Sequence, residues 1–443
     1  MSWIDQAVKN NTGSVVPDQE DDIFSEQREQ WVNHYKNRII NEADLETITT
    51  LPPDERKQTI ERLVNQMIDE ERVIIPRDDT EAIINHIINE SVGYGPLEAL
   101  LKEEDITEIM VNGPREIYIE RGGRLEKSLV QFKNQQHIRH IIDRIIAPLG
   151  RRIDESSPMV DARLIDGSRV NAVIPPVSLD GPKISIRKFN KTPFSLHDLL
   201  TFGTFSGQIS EFLQAIVKAK CNVLVSGGTG SGKTTLLNVL SSSIPAGERV
   251  VTIEDMAELR FNYDNLVRLE ARPPNMEGTG EITIRHLVKN ALRMRPDRVI
   301  VGEVRGTEAL DMLQAMNTGH EGSLTTVHAN TPKDALKRLE AMIVMSGLSL
   351  TSDVISGYFV GALDLIIQTE RLTDGKRRIV SIAEISENDG KVEINEIYKF
   401  VRQGVDQHGM VKGYFTATGY VPKVLERIKA FGVQVSDNLF ERR

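Results

Sequence analysis

Cysteine is nearly missing from these 443 residues: Cys221 is the only one. A disulfide framework and a four-cysteine zinc site are therefore excluded, and a reducing compartment is the natural setting. Aromatic residues make up 5% of the chain, and its 9 histidines include no H-E-x-x-H pair, so a protein-ligated zinc site is rejected. No apolar run approaches the roughly 18 residues needed to span a bilayer. The start, Met1-Ser2-Trp3-Ile4-Asp5, lacks the basic and apolar stretches of a signal peptide. The expectation is a cytoplasmic chain that meets a membrane only through partners. Positive charge is short as well: 54 Lys+Arg face 64 Asp+Glu, a net of -10. Sixteen acidic and eight basic residues fall in 1–75, so the acid excess sits there and the remainder is nearly neutral. That balance gives no basic footprint for nucleic acid, and none is expected as a partner.

What is present centres on Gly227-Gly228-Thr229-Gly230-Ser231-Gly232-Lys233-Thr234, a full match to G-x-x-x-x-G-K-[ST]. Val223-Leu224-Val225 leads into it, and Leu236, Leu237, Val239 and Leu240 follow at helical spacing. Strand, glycine loop and helix together give the motif its meaning. Glycines let backbone N–H groups turn inward around phosphate oxygens, and a helix N-terminus adds partial positive charge. Lys233 is expected to reach the β- and γ-phosphates, the Thr234 hydroxyl to hold Mg²⁺, and Thr235 to continue the cradle. Asn190-Lys191-Thr192-Pro193 begins like the guanine-reading N-K-x-D but lacks its aspartate and precedes the loop, which favours ATP.

The chain reads as α/β in four stretches. Residues 1–75 form an acidic helical segment, with apolar Ile60, Leu63, Val64, Met67 and Ile68 on one helix face. Residues 76–188 form a compact α+β domain. Its signals are paired strands about Asn112-Gly113-Pro114, an isoleucine-striped helix capped by Asn134, and a hairpin at Asp166-Gly167. Residues 189–195 are a linker, and Ser195 with Asp198 is a capping box opening 196–443. There, short apolar strands alternate with helices of 10–15 residues, the pattern of a parallel-rich sheet covered on both faces.

In such a sheet, ligands gather outside the C-terminal strand ends. Glu254, Asp255 and Glu258 follow one buried strand, where uncompensated charge is costly unless the chemistry requires it. Val299-Ile300-Val301-Gly302-Glu303 has the form of a Walker B strand, with Gly302 where an aspartate is expected. That leaves Glu303 to order Mg²⁺ through water or to orient the attacking water. His328 ends a third strand and could report on the γ-phosphate.

Taken together these segments resemble the motor ATPases of the type II/IV secretion superfamily, most of all the Tad/Flp pilus assembly ATPases of the CpaF type. Val267 to Asn275, Arg285 to Arg305 and on to His320, and Phe415 to Pro422 carry the likeness. The resemblance implies a RecA-like domain behind a PAS-like N-terminal domain, six protomers in a ring, and an inner-membrane platform protein as partner. It implies ATP hydrolysis that drives pilin assembly as the two domains move against each other. Glu258 takes the position of the catalytic glutamate, Glu303 that of the Walker B glutamate, and His320 and His328 those of a histidine box. The resemblance also implies that arginines of the N-terminal domain clamp the γ-phosphate. A strict two-residue turn at Asp166-Gly167 would put Arg163 and Arg169 on opposite faces, so Arg169 is expected, with Arg163 and Arg187 in reserve. Several members of the family carry a four-cysteine zinc insert that a chain with one cysteine cannot hold, so the resemblance moves towards the Tad/Flp and type IV secretion branches. A type IV secretion traffic ATPase and a RecA-like nucleic-acid translocase are the alternatives.

Overall fold

The computed structural model describes residues 30–32, 34, 35, 38, 39, 42, 51 and 53–442, apart from 92, 150, 190–192 and 275–277. The acidic stretch 1–25, the end of the helix expected over 31–48, the Gly150 stop and the Asn190-Lys191-Thr192 part of the linker lie outside these residues. The chain divides into two compact units, Met1–Phe189 and Asn190–Arg443. Among the described residues no helix is long and apolar enough to cross a membrane.

The first unit has two cores. Helix α1 (Pro53–Glu71) turns Ile60, Val64, Met67 and Ile68 towards Ile83, Ile84 and Ile87 of α2 (Arg77–Ser91), with Val32, Tyr35 and Ile39 completing the cluster. The apolar face of α2 thus belongs to this helical core, although from the sequence the sheet domain was expected to begin at residue 76. After α3 (Leu97–Lys102) come β1 (Ile106–Gly113), β2 (Glu116–Arg121), β3 (Arg124–Lys127), α4 (Gln135–Ile146), β4 (Met159–Arg163), β5 (Arg169–Val173) and β6 (Lys183–Arg187). The strands form one antiparallel sheet ordered β3-β2-β1-β6-β5-β4. Asn134 caps α4, its side chain accepting from His137 N at 2.8 Å. The isoleucine stripe of α4 packs against Ile109, Val111, Ala162 and Ala172. Strand β3 is exposed along all its residues, so it left no apolar signal in the sequence.

The β4–β5 hairpin corrects the expected turn. Arg163 pairs with Arg169, Leu164 N–H donates to Ser168 O at 2.9 Å, and Gly167 N–H donates to Leu164 O at 2.9 Å. With Gly167 at φ 94°, this is a three-residue loop closed by a glycine bulge. The extra residue moves the register by one, so Arg163 and Arg169 are direct cross-strand neighbours on the same face. Arg169 also pairs with Arg187. All three arginines therefore stand in one row, and Arg187 is held by Glu108 at 2.8 Å.

The second unit runs α5 (Leu196–Thr201), α6 (Gly207–Lys218), β7 (Val223–Gly227), α7 (Lys233–Ser241), β8 (Val250–Glu254), β9 (Leu266–Glu270), α8 (Ile284–Ala291), β10 (Arg298–Val301), α9 (Glu308–Asn317), β11 (Leu324–His328), α10 (Pro332–Met345), α11 (Ser352–Ala362), β12 (Leu365–Arg371), β13 (Arg377–Asn388), β14 (Lys391–Val405), β15 (Val411–Ala417) and α12 (Val424–Ala430). Its sheet is ordered β15-β14-β13-β12-β7-β11-β10-β8-β9. Strands β9 to β12 run parallel, and β13 to β15 add an antiparallel meander. Every residue of β7, β8 and β10 is buried, as expected of parallel strands covered on both faces. One face packs on Phe212, Ile216, Leu236 and Leu240 of α6 and α7, the other on Val288, Leu313, Leu339 and Phe359 of α8 to α11. The Ser195/Asp198 capping box opens α5, and Thr331 caps α10 with Pro332 in its first turn. This RecA-like α/β layer sets the end of β7 between those of β11 and β12.

Candidate functional site

At the end of β7 the loop turns through Gly230 and Gly232, with φ of 70° and 92°. These left-handed values bring the backbone round into the first turn of α7, where Thr234 and Thr235 are half-buried. Three donors from the loop and α7 converge on one oxygen. Gly228 O accepts from Ser231 N at 3.4 Å, Ser231 Oγ at 2.9 Å and Lys233 Nζ at 2.9 Å. The loop thus already converges its donors on a single point, the arrangement a phosphate oxygen requires.

Lys233 is only 7% exposed. Its Nζ lies 3.3 Å from His328 Nδ1, and His328 Nε2 lies 3.2 Å from Glu303 Oε1. Lysine, histidine and glutamate form a chain across the ends of α7, β11 and β10. Burial pushes the Lys233 ammonium down to about 8; the Glu303 and Glu258 carboxylates act in the other direction. Burial, then the Lys233 charge, pushes His328 below its usual value, which keeps the ring neutral near pH 7. Arg338, exposed on α10, lowers both groups further. Nothing in the sequence marked Arg338, because mid-helix arginines are usually solvated.

Since a phosphate is held by the charged ammonium, nucleotide affinity should be constant below pH 8. Above it, affinity should fall by up to about tenfold per pH unit as the free protein loses the Lys233 proton. Titration with a fluorescent ADP between pH 7 and 9.5 checks this, and Lys233→Met should flatten the slope.

The three acids at and beyond the end of β8 have separate tasks. Glu254 is 3% exposed, and its Oε2 accepts from Glu258 N at 2.7 Å and Leu259 N at 2.9 Å. Burial pushes its carboxyl up. Asp255 turns outward to Arg305 at 2.7 Å, and Arg305 also lies 3.9 Å from Glu303, tying the two acidic loops together. Glu258 is half-buried, its backbone fixed by Glu254 and its charge felt at Lys233.

Gly302 now has a physical reason. It follows β10 beside β8, and a Cβ there would lie 3.0 Å from Glu254 Cγ. The neighbouring strand's glutamate occupies the space an aspartate would need. Gly302→Asp should crowd a second carboxylate against a buried one and cost about 1–3 kcal/mol. A melting temperature lowered by several degrees in a thermal scan is the expected result.

Among the described residues no group of three or more His, Cys, Asp or Glu could hold a metal ion. The donors fit an ion that arrives with phosphate, since the Thr234 hydroxyl and Glu303 carboxylate are hard oxygens at the loop.

The structure brings Gly227 to Thr235, Glu303 and His328 together and sets Glu258 near them. His320 precedes β11 and contacts Ala315 O at 3.3 Å, at the opposite end of the strand from His328. Arg169 belongs to the other compact unit. The start of β13, absent from the sequence reading, also touches the loop: Arg377 Nε donates to Gly230 O at 2.9 Å.

A protein of Mycobacterium tuberculosis (strain ATCC 25618 / H37Rv) named for conjugal transfer is 38% identical over 323 residues, 71% of this chain and 91% of that protein. The type IV secretion system protein VirB11 of Bartonella quintana (strain Toulouse) is 32% identical, covering 65% of this chain and 90% of its own. Among solved structures, the VirB11 ATPase of the Brucella suis type IV secretion system, crystallised with sulphate, is 27% identical with a TM-score of 0.36, covering 65% of this chain and 94% of that one. A sequence profile described as "Type II/IV secretion system protein" matches residues 90–406. With that match spanning more than half of its length, the chain belongs to the type II/IV secretion system protein family.

Proposed function

We propose that this chain is a Mg²⁺-dependent ATP-hydrolysing motor of a secretion-type machine, and more narrowly of a Tad/Flp-type pilus. We propose further that it works as a hexameric ring at the inner face of the membrane, against a platform protein. The observation that carries the ATPase reading is the Lys233–His328–Glu303 chain beside the phosphate loop, with Glu258 close enough to act on Lys233. Phosphoryl transfer needs little more from a protein than positioning and electrostatic stabilisation, and each of these residues supplies one.

In this reading the loop N–H groups and Lys233 bind the β- and γ-phosphates. Thr234, with Glu303 through water, would hold Mg²⁺, which neutralises phosphate charge when bound. Glu258 orients the attacking water and takes its proton. Neutral His328 links Glu303 to Lys233 and so responds to whatever Lys233 grips. Arg169 is assigned to the γ-phosphate. Its place in one row with Arg163 and Arg187 supports an arginine cluster rather than a single residue, and ATPase assays of the three alanine variants separate them.

Relatives named for conjugal transfer and type IV secretion support a type IV secretion traffic ATPase as the second reading. Purification of the tagged chain from membranes, with identification of the polytopic protein that accompanies it, decides between the two. A pilus platform protein supports the Tad/Flp reading, and components of a conjugation channel reject it. DNA-stimulated turnover would point instead to a translocase.

A further inference from the structure

The phosphate loop is gripped from outside by β12 and β13, strands that lie about 140 residues further along and belong to none of the recognised motifs. Thr369 Oγ1 donates to Ser226 O at 3.1 Å and sits 2.9 Å from Ser231 Oγ. A Cβ on Gly227 would fall 2.4 Å from that same Oγ1, so the contact demands glycine. Arg377 Nε donates to Gly230 O at 2.9 Å, and its Cδ packs 3.4 Å from where a Gly232 Cβ would be. The connection that leads into Arg377 is itself fixed. Leu372 N–H donates to Lys376 O at 2.8 Å, Asp374 Oδ1 accepts from Lys376 N at 2.9 Å, and Asp374 Oδ2 accepts from Val411 N at 3.0 Å.

We propose that Arg377 is a positioning residue of the nucleotide site, acting through the peptide that joins Gly230 to Ser231. In a trans peptide the C=O and the following N–H point in opposite directions. With Gly230 O held outward by the guanidinium, Ser231 N–H is aimed across the loop, where it meets Gly228 O at 3.4 Å. That N–H is one of the donors a nucleoside di- or triphosphate would take over. Arg377 thereby fixes the donor before the ligand arrives, and pre-ordering of this kind strengthens binding without touching the reacting atoms. The charge-assisted bond it uses is among the stronger kinds.

The inference rests on the reading of Gly227–Thr234 as a nucleotide site. Its test is titration of the full chain with a fluorescent ADP, alongside steady-state ATPase assays and thermal melting. Arg377→Met keeps an aliphatic stem against Gly232 and removes the donor. It should weaken ADP about tenfold and raise the KM for ATP to match, with kcat at saturation within about twofold and Tm unchanged. Arg377→Lys, which restores a cationic donor, should recover affinity to within about threefold. Binding by Arg377→Met equal to wild type overturns the proposal. So does an equal loss in both variants with a lowered Tm, which marks packing alone. If the wild-type chain itself binds no ADP, the reading of the loop falls and this inference falls with it.

Discussion

Lys233→Ala should abolish ATP turnover, with a fall of about 10³-fold, and leave the melting temperature unchanged or higher. Lys233 is a buried cation whose Nζ is 2.9 Å from Gly228 O, 3.3 Å from His328 and within the field of Glu303 and Glu258. Removing one preorganised donor from a charge-developing site costs about 10²–10³ in rate; here the same residue also binds the substrate. Stability moves the other way. A lysine whose folded pKa is lowered disfavours the charged form in the folded state, so at neutral pH its burial opposes folding, and this opposition is relieved only as pH rises through about 8 towards the unfolded value. Alanine removes that penalty. Loss of ATPase activity together with a retained melting transition is therefore the expected pair of results. A variant that still turns over ATP would reject the site.

Lys233 could be found from sequence because one continuous segment encodes its whole setting: buried β7, the spaced glycines and the apolar stripe of α7. Elements made the same way, such as the isoleucine face of α4 or the Thr331-Pro332 start of α10, were equally readable. The misses have a common cause. The β4–β5 turn depends on one residue of register, and Asp166-Gly167 fits both a two-residue turn and a three-residue loop closed by Gly167. In strands β12 to β15, bulges at Gln368/Thr369, Ile382/Ala383 and Arg402/Gly404 interrupt the strand period. Thr369 and Arg377 reach the phosphate loop only because β12 pairs with β7. Gly302 looks anomalous in its own segment; only its neighbour across the sheet, Glu254, explains it. His320 and His328 look alike in sequence yet stand at opposite ends of one strand.

Glu258→Gln should separate binding from hydrolysis: nucleotide affinity within about threefold of wild type, and kcat lower by about 10²–10⁴-fold. The backbone at 258 is pinned by a buried acceptor, Glu254 Oε2, which takes the N–H groups of both Glu258 and Leu259. Glutamine has the same length as glutamate and leaves those bonds in place, so the substitution changes charge and proton affinity rather than the loop. Glu303 is the competing candidate, but its Oε1 is already engaged with His328 at 3.2 Å, which suits a residue that relays the state of Lys233. Glu303→Gln should accordingly weaken the Mg²⁺ dependence of turnover and disturb His328 while leaving a measurable rate. Single-turnover assays on both variants, read beside ADP titrations, decide the assignment. A normal rate in Glu258→Gln with a near-complete loss in Glu303→Gln would reverse it, because the group that takes the proton cannot be replaced by an amide without stopping the chemical step.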